Sequence, residues 1–282
     1  MTDHPSSASD ARRAAVALLD KVLGEGLLLS ECQAQILERL EPADRARAQR
    51  LALEVLRALE RADRVLAKHL RKPPALHVRN ALRLGTVELC SGGAAHGVVN
   101  DIVNLVARHR RHGQLKGLVN AVLRKVATEG PGEWAKLRVP RLPKWLRAPL
   151  VQAWGSDVML AIEATHYKGA PLDLSAKPEA DLAALKGAMT PTGSLRLQDA
   201  GQVSALPGYE QGAWWVQDAA AALPAQLLNA ARGERVLDLC AAPGGKTLQM
   251  AAAGAEVTAV DISESRLARL QENLAQIGRA HV

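Results

Sequence analysis

One stretch limits the possible folds more than any other: residues 235–262, RVLDLCAAPGGKTLQMAAAGAEVTAVDI. Val236, Leu237 and Leu239 make a short apolar run of the kind that forms a buried parallel strand. The small-residue segment Cys240-Ala241-Ala242-Pro243-Gly244-Gly245 comes next, and Lys246-Thr247-Leu248-Gln249-Met250 opens a helix. A second apolar run, Glu256 to Val260, ends on Asp261. Strand, loop, helix and strand in this order predict the first βαβ unit of a doubly wound sheet. Such sheets bind ligands outside the carboxyl ends of their strands, where a loop and a helix N-terminus face the ligand.

The residue types favour an adenosine-bearing ligand. Small residues at 241, 242, 244 and 245 let the backbone come close to a ligand, because no side chain intervenes. An acid at the end of the second strand can accept hydrogen bonds from both ribose hydroxyls. Three readings compete. The P-loop pattern fits Gly245-Lys246-Thr247 but needs a glycine where Cys240 stands, and Pro243 removes a backbone N–H from the cradle. The dinucleotide pattern G-x-G-x-x-G is absent from this loop. The third ligand is S-adenosylmethionine (SAM), and a purely structural loop is the bland alternative to all three.

The string DLCAAPGGKT, residues 238–247, resembles the SAM-binding motif of the RNA cytosine-5 methyltransferases. That resemblance implies SAM as cofactor, contacted by Cys240, Ala241, Ala242, Pro243, Gly244, Gly245 and Lys246, with Asp261 as ribose ligand. Asp238 is a candidate for orienting the loop N–H groups, and Lys246 for facing the SAM carboxylate or setting the helix start. Arg266 reads as a solvated residue of the next helix.

The rest of the chain supplies context. A hydrophobic content of 48% excludes a disordered protein, and with no Phe the cores must be built from Leu, Val and Ala. The start, MTDHPSSASD, is polar and acidic, and reads as a frayed terminus rather than a leader. No apolar run approaches the roughly 18 residues of a membrane span. Cys32, Cys90 and Cys240 lack metal-ligand spacing and suit a reducing cytoplasm. The net charge of +7 is uneven. Through Arg147 there are 26 Lys/Arg against 15 Asp/Glu, and from Ala148 onward 10 against 14. The first half therefore suits a polyanion, with a solvated helical surface as the other reading.

From Ala11 to about Val126 the pattern is helical throughout, with no period-2 stretch, which predicts an all-α bundle. Helices are expected over Ala11–Leu23, Leu27–Leu40 with Ser30 as a candidate N-cap, a long one opening at Asp44, then Val78–Leu89, Gly97–Arg108 and Lys116–Val126. Arg45, Arg47, Arg50, Arg57, Arg61 and Arg64 fall among polar positions of the long helix. The strings Arg79–Gly85 and Lys116–Arg124 resemble the NusB-like domain, an RNA-binding helical module, in which Asn120 is expected to cap or bridge helices. The loop His109-Arg110-Arg111-His112 reads as a phosphate contact or as a solvated loop. Two histidines alone make no metal site, and no metal is expected.

Residues 130–149 are Gly/Pro-rich and basic, and mark a connector. Trp134 and Trp145 there are expected to pin it to neighbouring structure, with base stacking as the alternative. Beyond it, a helix over Val151–Ala164, a strand near Leu172–Ala176, a helix near Glu179–Ala188 and a strand near Ser194–Gln198 predict a small α/β module. In the resembled family this module joins the bundle to the catalytic domain and helps bind RNA, and its strand after the proline usually carries Leu-Arg-x-Asn; here the matching residues are Leu174-Ser175-Ala176-Lys177, without the Arg and Asn. Val216-Gln217-Asp218-Ala219-Ala220 resembles the family's lead into the SAM domain, with Asp218 as N-cap of a helix through Leu228. The expected layout is a NusB-like helical domain over 1–130, a connector over 131–149, an α/β module over 150–210, and the start of a Rossmann-like SAM methyltransferase domain over 211–282.

With three regions matching in order, nearly the whole chain is similar to the bacterial small-subunit rRNA cytosine-5 methyltransferases of the RsmB/Sun/Fmu type. The family places one cysteine in Thr-Cys-Ser to attack C6 of cytosine, and a second in Asp-Ala-Pro-Cys-Ser to help release product. A covalent adduct is needed because C5 of cytosine is otherwise a poor nucleophile. Neither string occurs in residues 1–282. Cys240 belongs to the cofactor loop, and Cys32 and Cys90 read as core residues. The expectation is therefore an N-terminal portion of such an enzyme, with a third strand beginning at Ala280-His281-Val282 and no nucleophile of its own. It is expected to be inactive alone and to bind SAM weakly or not at all, because a parallel sheet needs both faces covered. Its expected partner is small-subunit ribosomal RNA, with no DNA or membrane, and the chain is expected to be monomeric. A non-catalytic RNA-binding module is the main alternative, and a P-loop nucleotide-binding protein the weaker one.

Overall fold

The computed structural model describes residues 7–198 and 203–277. The start of the chain and the strand expected at Ala280–Val282 lie outside the described residues. The chain forms two compact units, Met1–Gly169 and Ala170–Val282.

The first unit is all-α, as the periodicity predicts. Its helices are α1 (Ser7–Glu25), α2 (Leu29–Leu37), α3 (Pro42–Arg57), α4 (Leu59–Ala67), α5 (Leu76–Cys90), α6 (Ala95–Ala107), α7 (Lys116–Lys136) and α8 (Lys144–Lys168). Helix α5 is the axis, buried at Val78 and continuously from Asn80 to Val87, with α1, α4, α6 and α7 packed around it. Gly85 allows the closest approach: a Cβ there would lie 2.9 Å from Leu123 Cδ2 of α7. With no Phe available, Leu, Val and Ala fill the core, as expected.

Several helix starts differ from the sequence reading. Helix α2 begins after Leu28, whose N–H donates to Glu31 Oε2 at 2.8 Å, so Ser30 lies inside the helix and caps nothing. Helix α3 starts at Pro42 rather than Asp44, because proline at the first position loses no helical hydrogen bond. The long helix is two, broken at Ala58 (φ −99°, ψ 11°). Asn120 caps no helix, and accepts from Arg124 Nε one turn along α7 at 3.2 Å.

Buried charge, invisible to apolar periodicity, ties the helices together. Arg12 on α1 donates to both oxygens of Glu88 on α5 at 2.7 and 2.8 Å, and to Asp101 on α6 at 2.5 Å. Asp63 accepts from Arg83 at 2.7 Å and Arg79 at 2.6 Å. Arg61, expected on a polar stripe, is buried. Its guanidinium sits 4.4 Å from the Trp134 ring centre and 5.1 Å from that of Tyr167, and it donates to the Trp134 carbonyl and, at 2.5 Å, to the Tyr167 hydroxyl. Part of the basic surplus therefore serves the fold rather than the surface.

The region read as a connector is helical at both ends, since α7 continues through Gly130-Pro131-Gly132 to Lys136. Residues 137–143 are strapped down by two acids. Glu60 accepts from Arg138 at 2.6 Å and from the Arg141 N–H at 3.1 Å, and buried Glu163 accepts from the Leu142 N–H and Arg147 Nε, both at 2.9 Å. Trp134 is pinned within this unit, whereas Trp145 is exposed. Cys32 and Cys90 lie in or against this core, and burial pushes the Cys90 thiol up to about 11, leaving it an unreactive thiol at neutral pH.

The 109–112 loop makes a contact the sequence did not foresee. His109 packs 4.2 Å from His77 and 4.7 Å from His112 between ring centres, and His77 Nδ1 is 2.6 Å from Asp20. Burial, then the neighbouring His77 and His112, lower the His109 pKa. A histidine whose folded pKa is depressed stays neutral more readily when folded, so its burden appears as pH falls below the unfolded value of about 6.5. The helical unit should lose stability as pH falls below about 6.5, and His109→Gln should flatten that slope in urea melts. An unchanged slope would refute the assignment.

The second unit begins with a four-stranded antiparallel sheet in the order β2-β3-β1-β4, made of β1 (Leu172–Ala176), β2 (Gly187–Met189), β3 (Leu195–Leu197) and β4 (Trp214–Val216). The helix expected near Glu179–Ala188 does not form. Pro178 and an Asp181 turn, whose carboxylate accepts from the Ala183 N–H at 2.9 Å, hold the chain in turns, and Gly187–Met189 then pairs with β3. Asp173 on β1 joins the sheet to the chain beyond β4: it takes Arg196 of β3 at 2.7 and 2.8 Å and the Ala219 N–H at 3.0 Å.

Helix α9 (Ala219–Leu228) comes next, then β5 (Arg235–Asp238), α10 (Gly245–Ala252), β6 (Glu256–Ala259) and α11 (Glu264–Ile277). Asp218 caps α9 as expected, its Oδ1 accepting from the Ala220 and Ala221 N–H groups at 2.9 and 3.1 Å. Strands β5 and β6 are parallel, with Val236 opposite Val257. That valine pair faces the side where Ala225 of α9 and Met250 of α10 pack, while Leu237 on the other face is 57% exposed.

Candidate cofactor loop

The loop between β5 and α10 is built almost wholly from backbone, which explains its small residues. The Val260 N–H donates to the Asp238 carbonyl at 2.8 Å, and the Ala241 N–H to the Val260 carbonyl at 3.1 Å, extending the strand pairing into the loop. The Gly244 N–H closes a turn onto the Ala241 carbonyl at 2.7 Å, and the Leu248 N–H starts α10 on the Gly244 carbonyl at 2.7 Å. Gly244 has φ +110°, and a Cβ there would lie 3.2 Å from Leu270 Cγ, so glycine is required on two counts. The Ala242–Pro243 peptide is cis.

Four side chains fix this backbone. Asp261, expected as a ligand group, is turned into the loop, with Oδ2 accepting from the Ala242 N–H at 3.0 Å and Oδ1 from the Ser263 N–H at 3.1 Å. Arg266, expected to be solvated, donates to the Ala242 carbonyl and sits 3.7 Å from Asp261. Asn273 donates to the Pro243 carbonyl at 2.8 Å. Asp238, expected to hold loop N–H groups, instead accepts from Thr247 Oγ1 at 2.7 Å and so anchors the first turn of α10. Arg266 and Asn273 carried no sequence signal, because their role depends on α11 crossing beside the loop.

The Asp261 carboxyl is held below the ordinary aspartate value. The Ser263 N–H does most of this, opposed by burial and helped by the Ala242 N–H and Arg266. A depressed folded pKa means that the stabilisation is complete above the unfolded value of about 3.9 and is lost as pH falls through the lower, folded value. Loop order should therefore be flat with pH above about 5 and fail in the acid range. Exchange of the Ala242 amide hydrogen, followed by NMR down to pH 3, would show it; protection lost already near pH 6 would refute it.

Six of the eight sequence-predicted contacts share one cleft of about 240 Å³: Cys240, Ala241, Ala242, Pro243, Gly245 and Lys246. Val216, Gln217, Asp218 and Ala221, from the lead into α9, form the rest of its wall. Gly244 lies outside this lining, at the N-cap of α10, and Asp261 lies outside it, bound to the loop. Gln217 is buried, accepting from Trp215 Nε1 at 2.9 Å and donating to Gln249 at 3.0 Å, which ties β4 to α10. Among the described residues, no group of three or more His, Cys, Asp or Glu side chains could hold a metal ion, and no helix is long and apolar enough to cross a membrane.

An all-α bundle followed in the chain by a parallel βαβ unit defines the class, and comparison with known proteins identifies both parts. Residues 9–128 match the NusB family, and residues 225–282 match the family described as 16S rRNA methyltransferase RsmB/F. The chain is 32% identical over 289 residues to ribosomal RNA small subunit methyltransferase B of Klebsiella pneumoniae subsp. pneumoniae, covering 95% of this chain and 67% of that protein. It is 32% identical over 292 residues to the protein of the same name from Sodalis glossinidius, covering 95% and 66%. The crystal structure of PH0851 shares the fold, with a TM-score of 0.68 at 16% identity over 96% of this chain and 68% of that one. The chain belongs to the RsmB/F family of 16S rRNA methyltransferases, with a NusB-family domain at its front. It spans about two thirds of the length of the curated relatives it matches.

Proposed function

We propose that the chain binds SAM in the Cys240–Lys246 cleft and serves methyl transfer to C5 of a cytosine in small-subunit ribosomal RNA. The observation that carries this reading is the loop itself, whose backbone is already fixed by Asp261, Arg266 and Asn273 around a cleft of small residues. A preformed cradle favours binding, because little ordering remains to be done when the ligand arrives. SAM supplies the methyl group when bound; the residues of this chain hold and orient it. The bare face of the β5–β6 pair argues for weak rather than tight binding.

Calorimetry on residues 1–282 tests the reading. SAM should give a measurable heat and ATP none. Binding of ATP but not SAM would replace this reading with the P-loop alternative.

C5 methylation through a covalent adduct needs a thiolate aimed at C6. Of the three free cysteines, Cys32 and Cys90 belong to the helical unit and Cys240 to the cofactor loop. Residues 1–282 alone should therefore bind without turning over, and methyl transfer to RNA by the purified chain would overturn that part. The proposed setting is a monomer in the cytoplasm, where such thiols stay reduced.

The RNA partner is carried by the helical unit. A groove of about 510 Å³ runs between α6 and α7, with His96, Asn100, Asn120, Arg124 and Thr128 around an apolar floor of Val99, Val103 and Ala127. Amides and a guanidinium suit base edges and phosphates. Arg124→Ala should weaken RNA binding and reduce the slope of log affinity against log salt by about one. An unchanged slope would move the RNA elsewhere. RNA binding without any SAM binding would favour the non-catalytic alternative.

A further inference from the structure

One corner of the helical unit presents an aromatic ring to solvent on a rigid support. The Leu142 N–H and Arg147 Nε both donate to Oε1 of Glu163, each at 2.9 Å, and Glu163 itself is buried. Residues 143–146 are thereby closed into a turn over that carboxylate, with Pro143 just before the start of α8. Trp145 sits in this turn and is 77% exposed, although tryptophan is highly buried on average. Trp134 shows the contrast, since its ring covers Arg61 and joins the core. The charge around the turn has one sign: residues 134–156 contain five Lys/Arg and no Asp or Glu. Three of the five are occupied by acids from elsewhere, Arg138 with Glu60 at 2.6 Å, Arg147 with Glu163 at 2.9 Å and Lys136 with Glu133 at 3.8 Å. Arg141 and Lys144 are exposed and form no ion pair among the described residues. Lys144 adjoins Trp145, and the three residues from Lys144 back to Arg141 span at most about 11 Å of chain. Two free cations therefore flank the exposed ring.

We propose that this turn is a contact for single-stranded RNA, in which an unpaired base stacks on Trp145 and the neighbouring phosphates lie on Lys144 and Arg141. It rests on the RNA reading above and adds a site outside the α6–α7 groove. Every base has a flat face, so stacking on an indole is indifferent to sequence, while cations beside the ring take the backbone. A paired base keeps its faces inside the helical stack, so the partner is a single strand rather than a duplex. Glu60 and Glu163 already hold the backbone on both sides of Lys144, so little ordering remains to be done when the strand arrives. The lack of any acid in residues 134–156 favours a polyanion over an apolar protein surface as the occupant.

The test titrates residues 1–282 into a fluorescently labelled oligouridylate and into an RNA duplex of equal length, followed by anisotropy. Trp145→Ala should weaken oligouridylate binding about tenfold, the effect of losing one stacked base, and leave duplex binding unchanged. Trp145→Phe keeps a ring and should recover most of the loss. Lys144→Gln should reduce the slope of log affinity for oligouridylate against log salt by about 0.7, the single-strand value for one phosphate. Trp145 and Lys144 are exposed, so circular dichroism of each variant should match wild type. Unchanged oligouridylate binding by Trp145→Ala, with Arg124→Ala still weakening it, overturns this contact alone and gives the face to a protein partner. Equal losses for both RNAs in Trp145→Ala overturn the stacking. A chain that binds neither RNA overturns the RNA reading of the helical unit and this contact with it.

Discussion

Arg12→Met should destabilise the helical unit by about 3–5 kcal/mol, the usual cost of removing one partner from a buried charge cluster. Arg12 is 7% exposed at its side chain, and its two acids, Glu88 and Asp101, are 10% and 17% exposed. Methionine fills much of the arginine volume, so the loss comes from charge rather than from a cavity. It leaves two carboxylates from α5 and α6 with no cation between them. The three helices they join are the ones around which the core is assembled, so the effect should appear as a cooperative shift of the whole unit. Urea melts followed by far-UV circular dichroism measure it, and a loss under about 1 kcal/mol would mean the cluster is solvated. Adding Glu88→Gln and Asp101→Asn to the variant should recover part of the loss, since neutral amides tolerate burial better than unpaired charges.

Asp261→Ala should have the largest effect on the cofactor loop. It removes the acceptor of the Ala242 and Ser263 N–H groups and releases Arg266 from one of its two anchors. The loop then has to be ordered by the ligand, and SAM affinity should fall by at least about tenfold. Asp261→Asn keeps one acceptor oxygen and should fall in between. The two variants separate the roles: if Asp261 contacts only the ribose, Ala242 amide exchange stays slow in both, whereas a loop-holding role speeds it in Asp261→Ala. Unchanged SAM affinity in Asp261→Ala would remove this residue from the site.

The βαβ unit was legible in the sequence because its information is local. An apolar run, a stretch of small residues, a helix start and a second run ending in an acid succeed one another within 28 residues. The same holds for Asp218, whose cap bonds reach only two and three residues ahead. The all-α character of the first unit was equally plain, since it is written in the 3.6-residue repeat of each segment alone.

What the sequence could not state depends on which distant elements meet. Arg61 reads as one more surface arginine until α7 and α8 bring Trp134 and Tyr167 over it. The Ala/Leu pattern near residues 179–188 favours a helix locally, and it is overruled because Gly187–Met189 completes the edge of the β2-β3-β1-β4 sheet. Asp261 reads as a ribose ligand from its place at the end of a strand. That it turns into the loop, with Arg266 and Asn273 of α11 beside it, was decided by packing. The sequence by itself determined the all-α character of the first unit, the βαβ unit and the family, because these rest on short-range patterns. The tertiary structure alone decided which charges are buried and which side chains hold the loop, because each needs groups from separate elements at hydrogen-bond distance.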